Sequence, residues 1–594
     1  MFENILFWTA DIPEVAAIDY YGTVIKYGEL FEKVEEYVNG FRTIGIPQND
    51  VVTICLPVSI ENILSLFATD CMGHVSNNPN FLFLRNDFRK YTYEKKSKTL
   101  IILDAYLPFV VDDLISCGIE RVIVASLQFY LPLEKKHIFD RTDDLPKKLR
   151  EIFGDREKQK YCRERIRQLK QEGLQVYSFQ EIIERGKNSE TKLELGPVDI
   201  DRDVSYSYTS GTTKGKPKCI VYKELSANAL IELHIGVETK DYVGERVFAV
   251  IPFTHATGER FCGYLQMARG KTIVPQPIYN KETFGIDLMN SKCNWVTAAP
   301  SFYLEGVRQG FISSDAFKNV TRPSSGGEPV TKSNVIKIDK WLKMNGCPVR
   351  FSIGGGAAED GSSTICSYFM DELTKTNETG HPVEPGIQAK IVDCNGNLVP
   401  DGTRGFLHVS SAASADRYLD NEEATSARWY LDESGMRWGI TGDIAVKNPD
   451  GSYNILGRAD DCCKDRKGNH VWLFDIEYSL EECDPVIEWE ITAQPSACDK
   501  CYIVAQAVPT KEFIGREAEL VTILMNKYPL DAVKLYHSFE SSEVTGKRDF
   551  QLLKKDREGY FCTDDKGHFF KVDFKEWTDC VLKEIKPDEV VLNV

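Results

Sequence analysis

Positive charge is in deficit in this chain: 72 Lys and Arg stand against 89 Asp and Glu, for a net charge of −17. That argues against general nucleic-acid binding, which needs a basic face to displace counterions. Long apolar runs are missing too. The most apolar region, 51–74, is broken by Pro57, Glu61, Asn62 and Asp70, so no transmembrane segment is expected. The start, Met1-Phe2-Glu3-Asn4, lacks a basic stretch followed by an apolar one, and no secretory leader is expected. Seventeen cysteines occur without a small-domain disulfide framework; reduced thiols in a cytoplasmic compartment are the expectation. One CxxC pair, Cys498 and Cys501, has no second pair at zinc spacing. It reads either as part of a strand–turn–strand piece or as a metal site. The nucleotide-binding spacing G-x-x-x-x-G-K-[ST] is absent as well.

What is present is a soluble globular composition, 42% hydrophobic and 27% charged. At 594 residues the chain is too long for one core, so more than one domain is expected. Up to about Ala125, short apolar runs alternate with helical periods. Residues 50–56, 100–103 and 121–125 read as strands, and 60–72 as a helix. That alternation points to a layered α/β sheet. Residues 131–190 are dense in Lys, Arg and Glu. They read as a charged helical excursion, either simply solvated or a basic surface for anionic lipid or a carrier protein.

The rest of the chain is organised around Tyr208-Thr209-Ser210-Gly211-Thr212-Thr213-Lys214-Gly215-Lys216-Pro217-Lys218. It follows the alternating run 204–208, which reads as a strand. Glycines let a backbone turn with its N–H groups inward, and clustered N–H groups, hydroxyls and ammonium charges suit a polyphosphate. The same composition also describes a flexible, solvated loop.

Thr209 to Lys218 resembles the phosphate-binding loop of the acyl-adenylate-forming enzymes: acyl-CoA synthetases, luciferases and peptide-synthetase adenylation domains. It has one residue more than the commonest form around Lys214, and Cys219 where glycine usually follows. Further matches fall in the family's order. Pro252-Phe253-Thr254-His255-Ala256-Thr257-Gly258 resembles its P-x-x-H-x-x-G segment, which implies His255 at the mouth of an acid-binding pocket. Amino-acid-activating relatives carry an aspartate at the next position to pair with the α-amino group. Here it is Ala256, and an ammonium left unpaired in an apolar pocket is costly, so an acid without an α-amino group is expected. Residues 295–300 and Ser324-Ser325-Gly326-Gly327-Glu328-Pro329 resemble the next two segments, the second running along the nucleotide. Where the family usually has Tyr-Gly-x-Thr-Glu, this chain reads Gly355-Gly356-Ala357-Ala358-Glu359. The acidic residue is kept; the stacking ring and the hydroxyl are not.

Thr441-Gly442-Asp443 and Gly457-Arg458-Ala459-Asp460 resemble the ribose-binding and hinge motifs, and Thr545-Gly546-Lys547 the terminal loop carrying the catalytic lysine, without its customary proline. Beyond Asp556 the chain reads as a short unassigned tail.

The resemblance implies an α/β fold with a large multi-subdomain N-terminal adenylating domain of layered sheets and helices, residues 1–459. A small mobile α+β C-terminal lid, 460–594, follows. It implies Thr209, Ser210, Gly211, Thr212, Thr213, Lys218, Gly327, Glu328, Gly356, Asp443 and Arg458 around ATP. Glu359 and Thr212 would hold Mg²⁺, Asp460 would be the hinge, and Lys547 and His255 the catalytic residues. The implied reaction is activation of a carboxylic acid as its adenylate, then transfer to a thiol. Three readings follow: a ligase joining a fatty or aromatic acid to CoA, a free-standing enzyme loading the phosphopantetheine of a carrier protein, and a nucleotide-binding homologue without turnover.

Overall fold

The computed structural model describes the chain except residues 48, 140–155, 190, 194–198, 210–216, 236–241, 278–279, 328–329, 331, 362–363, 367–385, 481–484, 496–499, 541–549, 565, 575–580 and 593–594. Two eight-stranded sheets dominate. One runs, edge to edge, through Arg417–Tyr418, Cys219–Lys223, Asp203–Tyr208, Val75–Asn77, Val51–Cys55, Ser97–Leu103, Arg121–Ala125 and Gln175–Ser178. It is parallel apart from the two pairings at the Arg417 edge. The other carries Arg246–Ala249, Trp295–Ala298, Arg322–Gly326 and Ser352–Gly355 in parallel, with Thr272–Pro275 and the hairpin of Ala16–Tyr20 and Thr23–Lys26 on its far side. Mixed sheets covered by helices are the α/β arrangement that the alternating pattern predicts.

One core joins these sheets through the helices between them. The helix Ile60–Cys71 is buried at every position from Ile60 to Thr69. An all-buried helix needs apolar residues around its whole girth, which accounts for the most apolar stretch of the sequence. Ser59 caps it, its hydroxyl accepting from Asn62 N at 3.2 Å.

The charged segment differs from the reading of a solvated excursion. The helix Arg156–Gln171 buries only part of itself, through Cys162 and Leu169. The residues after it belong to the core: Gln175–Ser178 is the edge strand of the first sheet, and the helix Phe179–Lys187 packs on the helix Tyr27–Thr43. That packing is close. A β-carbon on Gly186 would fall 1.6 Å from the Glu36 carbonyl oxygen, and one on Gly40 2.1 Å from that of Ile182. Dense charge obscured a short amphipathic helix with a capping box at Ser178 and Glu181.

A third sheet joins Gln388–Val392, Arg404–Ser410, Arg437–Lys447, Trp429–Leu431 and Tyr453–Arg458. The hairpin Cys462–Lys464 with His470–Trp472 follows. A six-stranded sheet from Val486–Pro495 to Val581–Ile585 then closes the chain over its own core. The expected tail is instead structured: Tyr560–Thr563, Phe569–Asp573 and Val581–Ile585 are the last three strands of that sheet. Short strands that open on adjacent apolar residues carry a weak apolar alternation, which hid them. Among the described residues no helix is long and apolar enough to cross a membrane.

Candidate functional site

The 209–218 segment connects two antiparallel strands, Asp203–Tyr208 and Cys219–Lys223, which pair from Asp203 with Lys223 to Tyr208 with Cys219. At its mouth Thr209 N donates to Lys218 O at 3.0 Å, and Lys218 N donates to Thr209 Oγ1 at 2.9 Å. The strand alternates in chemistry but is buried on both faces from Val204 to Tyr208, as an interior strand must be. Tyr208 fixes its end by donating to Asn77 Oδ1 at 2.6 Å. Ser210, Gly211, Thr212 and Thr213 lie outside the described residues, as do Glu328, Cys498 and Lys547.

Tyr418 ties this loop to the acidic residue of the Gly355–Glu359 segment. It sits in the two-residue strand paired to Cys219–Lys223, opposite Ile220. Its hydroxyl donates to Glu359 Oε1 at 2.7 Å, and Lys218 Nζ lies 4.6 Å from the centre of its ring. A cation over an aromatic face is held by the ring quadrupole, so one side chain positions both charged groups. The backbone of the segment is also pinned. Ala415 N donates to Glu359 O at 2.9 Å, and Tyr222 donates to the carbonyl of Ala358.

Beneath Glu359 lies a buried ion pair, Asp360 with Arg428, at 2.5 Å. Burial pushes the Asp360 carboxyl up to about 6; Arg428 opposes that shift, while the nearby charges of Glu359 and Asp443 add to it. Glu359 and Asp443 are therefore electrostatic neighbours of Asp360, whose own partner is Arg428. No room remains for a side chain at 439, where a β-carbon would fall 2.7 Å from Arg428 Nη1.

Asp443 and Arg458 face each other across paired strands. Arg458 Nη1 donates to Asp443 Oδ1 at 2.7 Å and to Thr441 O at 3.1 Å, while Asp443 N donates to Thr441 Oγ1 at 3.0 Å. The turn between Thr441 and Asp443 needs φ +78° at Gly442, a backbone region that favours glycine. Two residues beyond Arg458, Asp460 is exposed. Its neighbour Asp461 accepts from Lys554 Nζ at 2.8 Å.

Gly355 ends the strand in which Gly354 pairs with Gly326, with Gly327 following Gly326 at φ +83°. A β-carbon on Gly355 would lie 2.5 Å from Ile455 Cδ1. Ile455 and Arg458 share the strand Tyr453–Arg458, so the space beside Gly355 is filled by an aliphatic side chain from the next element. Gly356 is exposed.

His255 stands where a strand gives way to a π-helix, Thr257–Tyr264, a rare form that often marks function. Its Nδ1 accepts from Thr257 N at 3.3 Å. Ala256 is buried, and its side faces a core containing Phe253 and Phe261. Glu259, also buried, is held by Tyr264 at 3.0 Å and Asn78 at 3.3 Å; burial raises its carboxyl to about 7.

Lys218, Glu359, Asp443 and Arg458 thus gather at one edge, where the first sheet meets the third. Tyr418, Arg428 and Ile455 belong to the same cluster and were not picked out by the motif reading. Strand pairing brings in Tyr418 and Ile455, and the ion pair with Asp360 brings in Arg428 from the end of the helix Glu422–Arg428.

The class is that of an adenylate-forming α/β enzyme fold. A benzoate CoA ligase from Burkholderia xenovorans LB400 superposes with a TM-score of 0.70 at 18% identity, covering 93% of this chain and 99% of that one. An anthranilate CoA ligase, AuaEII, solved with anthranoyl-AMP, gives 0.70 at 19% identity. At those identities the likeness is one of fold. The AMP-binding enzyme family model matches residues 8–419, and the chain belongs to that family. Among curated relatives, the mitochondrial acyl-coenzyme A synthetase ACSM4 of Rattus norvegicus is 27% identical over 331 residues, 54% of this chain and 53% of that protein. Tyrocidine synthase 2 of Brevibacillus parabrevis is 27% identical over 338 residues, 9% of its length. The matches span about half the length of the ligase relatives and much less of the synthase.

Proposed function

We propose that this chain is an AMP-forming acid–thiol ligase that joins a fatty or aromatic acid to CoA. The observation that carries the reading is the Tyr418 bridge, with Lys218 Nζ 4.6 Å from its ring and Glu359 Oε1 2.7 Å from its hydroxyl. A polyphosphate needs a cation near its β,γ-end and a metal-binding carboxylate within reach of the same oxygens, and this bridge holds both kinds of group side by side. In the first step a carboxylate oxygen of the acid attacks the α-phosphorus of ATP, and pyrophosphate leaves. Such chemistry asks the protein to position reactants and neutralise developing charge.

The 209–218 loop would bind the β,γ-phosphates, and Asp443 would accept hydrogen bonds from the ribose hydroxyls while Arg458 holds its carboxylate in place. Lys547 would stabilise the charge shared by the attacking carboxylate and the α-phosphate. Glu359 fits Mg²⁺: it is a half-buried carboxylate oriented by Tyr418, and Mg²⁺ prefers oxygen ligands shared with nucleotide phosphates. Bound there, the ion would supply charge neutralisation at the phosphate oxygens. Residues 1–459 would form the adenylating body and 460–594 a lid turning about Asp460. Ala256 supports an acid without an α-amino group, since the surrounding core offers apolar neighbours.

The test is pyrophosphate release from ATP and Mg²⁺ across a panel of fatty, aromatic and amino acids, followed by mass analysis of the product with CoA or a phosphopantetheinyl protein. Acid-dependent release and an acyl-CoA product are expected. Release that loads only the carrier protein would shift the acceptor. No acid-dependent release would leave a nucleotide-binding protein without turnover.

A further inference from the structure

Most cysteines in the described residues are poor nucleophiles. Burial pushes the thiols of Cys262 and Cys293 up to about 12, and those of Cys162, Cys219 and Cys347 up to about 11. Thiolate, not thiol, is the reactive form, so these are inert packing residues.

The hairpin after Asp460 is different. In Cys462–Lys464, Cys463 faces Val471 across the pairing and packs with it against the core that contains Ile503. The hairpin lies over the start of the strand Cys501–Pro509. Arg466 stacks its guanidinium 4.9 Å from the Tyr502 ring centre and reaches Asp531 at 3.5 Å, while a β-carbon on Gly468 would lie 3.9 Å from Lys500 Cε. This placement sets the Cys463 thiol beside that of Cys501, close enough for each to shift the other. Both are free and partly exposed. The contact is asymmetric: accepting from Cys463 lowers the Cys501 thiol to about 7, while Cys463, the donor, is pushed up. Each thiol thus shifts the other, and a proton shared between them leaves one sulfur of the pair as thiolate.

We propose that Cys463 and Cys501 form a thiol–disulfide exchange site that takes small-molecule disulfides and closes to an intramolecular disulfide. The Cys501 thiolate attacks one sulfur of a disulfide RS–SR; the S–S bond breaks and one RS⁻ leaves with the electron pair, picking up a proton. The Cys463 thiol then loses its proton and attacks the Cys501 sulfur of the mixed disulfide, expelling the second RS⁻. The protein loses two hydrogens and RS–SR becomes two RSH, so electrons and atoms balance. The closed form ties the hairpin that follows Asp460 to the first residue of the neighbouring strand.

The experiment treats the full chain with oxidised glutathione at pH 7 under non-denaturing conditions. Remaining thiols are then blocked, and peptides are mapped by mass spectrometry before and after dithiothreitol. The expected product is a Cys463–Cys501 linked peptide pair that disappears on reduction. Cys463→Ser should accumulate a glutathionyl adduct on Cys501, and Cys501→Ser should slow modification at Cys463 at least tenfold. A link from Cys501 to Cys498 or Cys462 instead, or no link in folded wild-type protein, overturns the proposal. The wild-type map decides the matter even if a variant fails to fold.

Discussion

Ile455 fills the space that a side chain on Gly355 would need, its Cδ1 falling 2.5 Å from the position of a β-carbon there. Gly355 has no left-handed φ among the glycines that do, so the obstacle to a larger residue is space and not backbone conformation. Gly355→Ala should therefore destabilise the protein by about 1–3 kcal/mol, the usual cost of overpacking. Ile455→Val removes Cδ1, and in that background the same substitution should cost about 1 kcal/mol less. Urea unfolding of the four proteins measures the coupling. Equal costs in both backgrounds would show that Ile455 does not set the limit.

The Tyr418 bridge makes a graded prediction. Tyr418→Phe keeps the ring beside Lys218 and removes the hydrogen bond to Glu359. A bond to a charged group contributes about 1.5–3 kcal/mol, so acid-dependent pyrophosphate release should fall about 10- to 100-fold. Tyr418→Leu also removes the ring and should fall further, with a weaker apparent affinity for ATP. Identical losses for Phe and Leu would rule out a part for the cation–ring contact.

Lys547→Ala should lower adenylate formation by roughly 10²–10³-fold, the scale of removing one group that stabilises transition-state charge. Transfer to CoA from a supplied acyl-adenylate should be spared, because on the proposed reading a lid turning about Asp460 would carry the lysine away from the second step. Equal loss in both half-reactions would refute that division of labour.

Two histidines predict acid sensitivity. His74 is fully buried with neither ring nitrogen hydrogen-bonded, and burial lowers it to about 4 from an ordinary 6.5. His408, whose Nδ1 meets the Tyr430 hydroxyl at 3.0 Å, is likewise lowered to about 4, by burial and then by Lys390 and Arg428. A base depressed in the folded state contributes stability that is whole above its unfolded value and is lost as pH falls towards the folded one. The loss should thus begin below about pH 6.5 and reach roughly 2 kcal/mol per histidine near pH 5. His74→Leu should flatten the fall in urea midpoint between pH 7 and 5 by about half. An unchanged slope would mean that His74 does not titrate as described.

Much of the site's scaffold was legible in the residues, and the reasons are local. The strand Asp203–Tyr208 and its paired loop announce themselves by a change from alternating aromatics to Gly, Thr and Lys, a chemistry that only a turn accommodates. The 441–443 and 457–460 segments, singled out by resemblance, lie on paired strands with Asp443 opposite Arg458. Other parts depend on distant pairing and left no local trace. Tyr418 owes its place to an antiparallel contact with Ile220, almost two hundred residues earlier in the chain. The missing ring at 355 became intelligible only once Ile455 was seen filling its place. Strands Tyr560–Thr563 and Phe569–Asp573 are short and open on adjacent aromatics, so neither shows a clean period of two.

The π-helix beside His255 alters how its neighbourhood can be probed. From Gly258 to Tyr264 every residue is buried, and i→i+5 bonding gives these side chains an azimuth unlike the 100° step of an ordinary helix. A helical wheel drawn at the ordinary step would therefore misplace them relative to one another. Removing a single residue here should let the segment relax into the commoner α winding.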